Sequence, residues 1–264
     1  LHARRLGMRV MLFTNARLIT PELADLFRRV PPLKKIEISV YGMQADTYDA
    51  VAAAPGAYAG FRRGVDLLLE REIPFFVKSV LLPPNKHELD EFEAWAETLP
   101  GMDRKPPYAI FLDHRTRRDS PAKNRRIDKL RFSPADGLAL LARDEAAFRR
   151  SQAQFAAQFL RPQGDRLFDC DAGTAGCVDA YGKLQMCMML RHPDTVYDLR
   201  GGTIKAALTE VFPVLRDLRA SNPDYLARCA RCFIKGLCEQ CPAKSWSEHG
   251  TLDTPVEYHC QVAH

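Results

Sequence analysis

All eight cysteines of this 264-residue chain lie between Cys170 and Cys260, and the 169 residues before them hold none. Their spacing is Cys170-x6-Cys177-x9-Cys187, then Cys229-x2-Cys232-x5-Cys238-x2-Cys241, then Cys260. A CxxC turn aims two sulfurs at one point. Eight thiolates make two sets of four, the number that two all-thiolate metal sites require. Gly182, Gly236 and Gly250 lie among them, where tight turns call for a residue tolerant of positive φ. Dense disulfides belong to small secreted domains. Here no export signal opens the chain: Leu1-His2-Ala3-Arg4-Arg5 leads straight into a strand-like segment. The pattern therefore favours metal over disulfides. Zinc as a structural staple and iron in four-iron clusters both fit it.

The net charge of +5 is mild. The one basic cluster, Arg115, Arg117, Arg118, Lys123, Arg125, Arg126, Lys129 and Arg131, reads as a solvated linker rather than a nucleic-acid face. The longest tight apolar run, Ile73 to Leu82, is interrupted by Pro74 and Lys78, so no membrane span is expected. A cytoplasmic location is the expectation.

The first part alternates strand and helix patterns. Met8–Phe13 reads as a short strand and Thr20-Pro21 as a helix start, with Thr capping and Pro first. Leu23, Leu26 and Phe27 give that helix its expected inward face. Lys35–Tyr41 alternates as a strand, Tyr58–Glu72 as a helix with Phe61, Val65, Leu68 and Leu69 inward, and Phe75–Leu82 as a third strand. Glu88–Leu99 reads as a helix with Leu89, Phe92, Trp95 and Ala96 on one side, and Tyr108–Leu112 as a fourth strand. Strands separated by such helices imply right-handed βαβ units and a parallel sheet. Four strands are half of an eight-fold barrel, so the α/β unit is a partial barrel or a small open sheet. Residues 113 to 131 read as a connection, and Ser133-Pro134 starts a long helix running to about Phe159. The expected divisions are residues 1–115, 116–165 and 166–264.

The motif Cys170-x11-Gly182-x4-Cys187, gap, Cys229-x2-Cys232-x5-Cys238-x2-Cys241, gap, Cys260 resembles the SPASM domain, which follows the catalytic barrel in a branch of radical S-adenosylmethionine (SAM) enzymes. The match covers roughly residues 166 to 264. The family pattern has three residues between the last two cysteines of its central cluster, where this chain has Glu239-Gln240. Upstream, Phe13-Thr14-Asn15, with Ala16 in place of glycine, resembles the end of the third strand of a radical SAM barrel. Ile38-Ser39-Val40-Tyr41-Gly42 resembles the end of the fourth, and with Thr47-Tyr48 it is similar to the peptide-maturase branch.

The resemblance implies a partial (β/α) radical SAM barrel lacking its first strands, then a small Cys-rich domain with two auxiliary [4Fe-4S] clusters. Cys170, Cys187 and Cys241, with Cys177 as a fourth ligand, would hold the cluster nearer the barrel. Cys229, Cys232, Cys238 and Cys260 would hold the outer one. Thr14, Ser39 and Lys78 would contact SAM. The family's CxxxCxxC motif, which holds the SAM-binding cluster, is absent from this sequence. With the non-Met start, that reads as loss of an N-terminal part, which would carry SAM's own third cluster. The implied activity is that of an oxidoreductase: a deoxyadenosyl radical abstracts hydrogen from a ribosomally made peptide or protein. An electron donor, and a separate peptide-recognition protein, would serve as partners.

Other residues carry weaker signals. His259 and His264 are spare imidazoles beside thiolates that already fill two sites. Asp113, His114 and Arg115 lie at the end of the fourth strand, where parallel sheets place functional groups. Met186, Met188 and Met189 flank Cys187 as an expected water-poor lining, whereas Trp246 and Tyr258 read as packing residues. The competing reading of the whole chain is a zinc-stapled, non-catalytic interaction module on a remnant α/β sheet.

Overall fold

The computed structural model describes residues 1–159 and 162–264. Leu160 and Arg161, inside the expected linker, lie outside the described residues. The chain forms two compact units, Leu1–Ile110 and Phe111–His264.

The first unit runs α1 (His2–Arg5), β1 (Phe13–Thr14), α2 (Pro21–Arg29), β2 (Ile36–Val40), α3 (Ala45–Ala52), α4 (Ala57–Glu70), β3 (Phe75–Val80), α5 (Leu89–Glu97) and β4 (Tyr108–Ala109). The strands pair in parallel in the order β1-β2-β3-β4, as the alternation of elements predicts. The cap expected at Thr20 is present: its hydroxyl accepts the Leu23 N–H at 3.3 Å, and Pro21 opens the helix.

Several boundaries differ from the sequence reading. The first strand is only two residues long. Upstream of it, the Val10 and Leu12 carbonyls still accept from Leu33 and Glu37 N–H groups. The fourth strand ends at Ala109 rather than Leu112. Leu23 and Leu69 face solvent, and Ala24 is the buried residue of α2. Helix α3 was not anticipated; it carries Tyr48, which is fully buried and stacks on Phe61 with ring centroids 4.9 Å apart.

Within the first unit, helices close off one face of this sheet. Ile36, Ile38, Val40, Phe75 and Val77 alternate along β2 and β3 on one side, all 3% exposed or less. Val40 meets Leu89 and Phe92 of α5 around one small cavity. The opposite side holds Glu37, Ser39, Phe76 and Lys78, half-buried, and Phe13, 59% exposed. Open parallel sheets bury both faces under helices, whereas the strands of a barrel keep helices on the outside only. The single covered face is that of a barrel arc.

A carboxylate secures the start of α4. Asp49 accepts N–H groups from Gly56 at 2.5 Å and Tyr58 at 2.8 Å. These amides hold its carboxyl below the usual carboxylate range. A depressed folded pKa adds stability that is present above the ordinary aspartate value and is lost as pH falls through the folded one. Asp49→Asn is therefore expected to lower the melting temperature at pH 7, and the gap from wild type is expected to shrink below about pH 4. Thermal melts across pH check this, and an unchanged gap at low pH would count against it.

The second unit runs α6 (Pro121–Leu130), α7 (Pro134–Leu141), α8 (Glu145–Phe159), β5 (Cys177–Val178), β6 (Lys183–Gln185), β7 (Val196–Asp198), α9 (Ile204–Ala206), α10 (Phe212–Arg216), α11 (Pro223–Ala227), α12 (Pro242–His249) and α13 (Glu257–Ala263). The expected connection at 113 to 131 contains a helix, α6, capped by Ser120, whose hydroxyl accepts the Lys123 N–H. The expected single long helix is two. The first ends at Leu141, and Asp144 starts the second, accepting the Ala147 N–H at 2.9 Å. β5, β6 and β7 form an antiparallel sheet. Its core gathers Leu167, Phe168, Leu184, Met186, Leu190 and Phe212, with Cys187, Cys229 and Cys241 packed against it. No helix among the described residues is long and apolar enough to cross a membrane.

Candidate functional site

The sheet's half-open face carries two of the three residues expected to contact SAM. Ser39 on β2 and Lys78 on β3 are register partners. Their side chains therefore stand on the same face, with Glu37 and Phe13 beside them. Lys78 Nζ is 2.7 Å from Glu37 Oε2 and 4.6 Å from the Phe13 ring centroid. Thr14 pairs with Ile38, which puts it on the opposite face, and its hydroxyl accepts the Ala16 N–H at 3.1 Å. The sheet brings Ser39 and Lys78 together and leaves Thr14 apart from them.

The strand ends beyond this face are tied by two residues that sequence reasoning passed over. The Asn85 amide donates to the Tyr41 and Val80 carbonyls and accepts from Leu82 N–H, clasping the ends of β2 and β3. Glu88, almost fully buried, accepts the Met43 N–H at 2.5 Å. Neither residue belongs to a motif; only the tertiary structure reveals their partners.

In the second unit all eight cysteines are free thiols, each partly buried. One set edges a cavity of about 500 Å³, to which Cys229, Cys232, Cys238 and Cys260 all contribute. Short 3-10 turns present the first three: Cys229–Arg231 leads into Cys232, and Lys235–Leu237 into Cys238. Cys260 comes from α13. The thiols are close enough for each charge to be felt by the others, and burial pushes Cys229 and Cys238 up to about 11. The Arg228 guanidinium, 3.8 Å from Cys260 Sγ, offsets part of that for Cys229.

A second set joins Cys170, Cys187 and Cys241 electrostatically. Cys241 sits immediately before Pro242 at the start of α12. Burial raises its pKa, while the Ala243 and Lys244 amides at that helix end pull it down. Cys177 lies on β5 opposite Gln185. Gly182 and Gly250 adopt positive φ as expected. Gly236 does not; it is buried inside a 3-10 turn. Among the described residues no group of three His, Cys, Asp or Glu side chains converges tightly enough to hold a single metal ion.

The weaker candidates are absorbed by ion pairs and packing. Asp113 is bonded to Lys244 and lies 3.7 Å from the imidazole of His259. His259 is almost fully buried, and burial pushes it down to about 4. His114 lies between Asp128 at 2.5 Å and Glu248 at 3.0 Å, and Arg115 pairs with Asp119. Trp246 donates to the Thr116 carbonyl and Tyr258 to that of Phe132, which are packing roles. The expected methionine lining is divided: Met186 is in the core, whereas Met188 is 66% exposed.

No family model matches the sequence. A protein of Methanosarcina barkeri named AdoMet-dependent heme synthase is 26% identical over 262 residues, covering 92% of this chain and 72% of that protein. One of the same name from Nitratidesulfovibrio vulgaris is 22% identical, covering 92% and 69%. Among solved structures, anSMEcpe with bound AdoMet superposes with a TM-score of 0.55 at 14% identity, covering 96% of this chain and 67% of that one. The complex of anSMEcpe with AdoMet and Cp18Cys peptide gives 0.54 at 12% identity, covering 96% and 71%. The solved structures share this chain's fold.

Proposed function

We propose, from relatives that support a radical SAM family, that this chain works in a radical SAM oxidoreductase and that its second unit holds two auxiliary four-iron clusters. In this reading residues 1–115 are barrel, 116–165 a connecting helical region and 166–264 the auxiliary-cluster domain. The observation that carries the proposal is the cavity edged by Cys229, Cys232, Cys238 and Cys260. A zinc ion needs its four ligand atoms within about 2.3 Å of one point. A four-iron cluster is a larger body and needs its sulfurs spread around a space. A wide cavity edged by four thiols favours the cluster. Thiols whose pKa is raised by burial suit the same role, since cationic iron is what makes such thiols ionise.

Cys170, Cys187 and Cys241 would hold the second cluster, with Cys177 as its fourth ligand. Ser39 and Lys78 would hold SAM on the half-open face, Lys78 beside its carboxylate; Thr14 shapes the β1 end through its bond to Ala16. When bound, SAM and the iron–sulfur clusters together supply hydrogen-atom abstraction and sites for the electrons involved.

Two substrate readings follow. The peptide held by the fold relative favours a peptide or protein substrate, with an electron donor and a separate recognition protein as partners. The sequence relatives favour an AdoMet-dependent step of heme formation. Incubating the iron-loaded, SAM-supplied enzyme with each substrate class and following product by mass spectrometry separates them.

The metal assignment is tested by iron, sulfide and zinc content of anaerobically purified protein. About eight irons with matching sulfide are expected. About two zincs without sulfide would return the chain to the zinc-stapled reading. For the SAM contacts, Lys78→Met is expected to weaken SAM binding about tenfold in equilibrium dialysis, the loss of one charge-assisted contact. Binding unchanged by Lys78→Met would remove Lys78 from the site.

A further inference from the structure

The cavity edged by Cys229, Cys232, Cys238 and Cys260 has a charged wall that the cysteine spacing does not account for. Arg228 and Glu257 both line it. Arg228 follows α11 and stands immediately before Cys229, whereas Glu257 opens α13 and Cys260 lies three residues further along that helix. Residues three apart share a helix face, so Glu257 and Cys260 are neighbours on α13. One nitrogen of Arg228 reaches both: Nη2 is 2.8 Å from Glu257 Oε2 and 3.8 Å from Cys260 Sγ. Nη1 is 3.3 Å from Asp224 Oδ2, four residues back on α11. The two carboxylates hold the planar guanidinium in place while it donates to the sulfur.

A second sulfur of this set also accepts an N–H: Cys238 Sγ lies 3.4 Å from the Gln240 nitrogen. That donor is backbone and stays the same whatever side chain stands at position 240. The donor to Cys260 is a side chain. Its charge is also felt at Cys229, where burial raises the thiol pKa and Arg228 pulls it back down. Asp224 and Glu257 offset that charge at longer range, so the influence of Arg228 is confined to the sulfurs beside it. An electron added to a thiolate-ligated cluster places part of its negative charge on the sulfurs. A hydrogen bond donated to such a sulfur is therefore stronger in the reduced state and raises the reduction potential.

We propose that Arg228 sets the reduction potential of the cluster held by Cys229, Cys232, Cys238 and Cys260, its N–H to Cys260 Sγ favouring the reduced form and Glu257 holding it there. Arg228 is a positioning residue in this role: it acts through Cys260. The inference rests on the auxiliary-cluster reading of the cavity and adds to it the residue that tunes the site.

The test is a redox titration of the anaerobically iron-loaded full chain, with dithionite as reductant and the reduced clusters followed by electron paramagnetic resonance. Two potentials are expected, and the one that disappears in Cys232→Ala belongs to this site. Arg228→Gln is expected to lower that potential alone. At a fixed applied potential the ratio of reduced to oxidised cluster falls about tenfold, equivalent to about 59 mV for one electron. Arg228→Lys keeps a positive donor without the fork and is expected to fall between wild type and Arg228→Gln. Glu257→Gln removes a negative charge and leaves the guanidinium, so the potential is expected to rise. A residue that merely braced the site would shift both kinds of variant in the same direction. Iron and sulfide are measured on every variant, and if Arg228→Gln loses its cluster, Arg228→Lys carries the test. A potential unmoved in an iron-loaded Arg228 variant, equal shifts at both clusters, or a fall in Glu257→Gln overturns the proposal and leaves the cluster reading standing. Zinc without sulfide in the wild-type chain overturns the cluster reading and this inference with it.

Discussion

Cys232→Ala is expected to remove about four of about eight irons per chain and to leave the remainder, with sulfide falling in step. Cys232 shares its cavity with Cys229, Cys238 and Cys260, so its loss leaves three thiols around a space built for four. Burial has already pushed Cys229 and Cys238 up to about 11. Without iron to ionise them they return to neutral thiols, and a three-thiol remnant holds the cluster weakly. The other set stands on different supports. Cys187 follows β6 and Cys241 precedes α12, each packed on the core. Iron and sulfide determination on anaerobic protein reads the outcome. Equal loss from both sets would sink the division of the cysteines into two sites.

Gly64→Val is expected to destabilise the first unit by about 2–3 kcal/mol, the range for forcing side-chain volume into a closed contact. Gly64 lies on α4, where a Cβ would come within 2.1 Å of the Ala16 carbonyl oxygen. That oxygen belongs to the backbone just after β1, where Ala16 is fully buried at a φ of 60°. No rotamer change relieves such a contact, so α4 must lift from the turn. Glycine costs a helix about 1 kcal/mol relative to alanine, and close packing against the turn outweighs that cost. Gly60→Ala is the control. Its Cβ meets Arg17 Cγ at 2.8 Å and the Arg17 carbonyl oxygen only at 3.2 Å, against 2.1 Å to backbone at Gly64, so a smaller loss is expected. Denaturant melts of both variants check the pair; similar losses would mean that the helix–turn contact is not the cause.

The sequence by itself determined the succession of the four strands and of α2, α4 and α5 in the first unit, and the thiol inventory of the second. Both are local matters: βαβ alternation is written in the hydrophobic period, and a CxxC segment needs only a turn between its cysteines. The caps at Thr20 and Ser133 are local as well, and each accepts the amide three residues on. Boundaries proved less legible, because a two-residue strand such as β1 exists only through its partner β2. Tertiary structure alone decided that Ser39 and Lys78 share a face while Thr14 does not, since register is set between strands. It alone decided that Gln185 ends with a buried, unpartnered oxygen. Asn85 and Glu88 carry no motif, and their roles follow from backbone groups more than forty residues away at Tyr41 and Met43. Local pattern fixes which groups are available. Which of them meet depends on long-range packing, whose partners lie too far apart in the chain for any spacing rule to reveal.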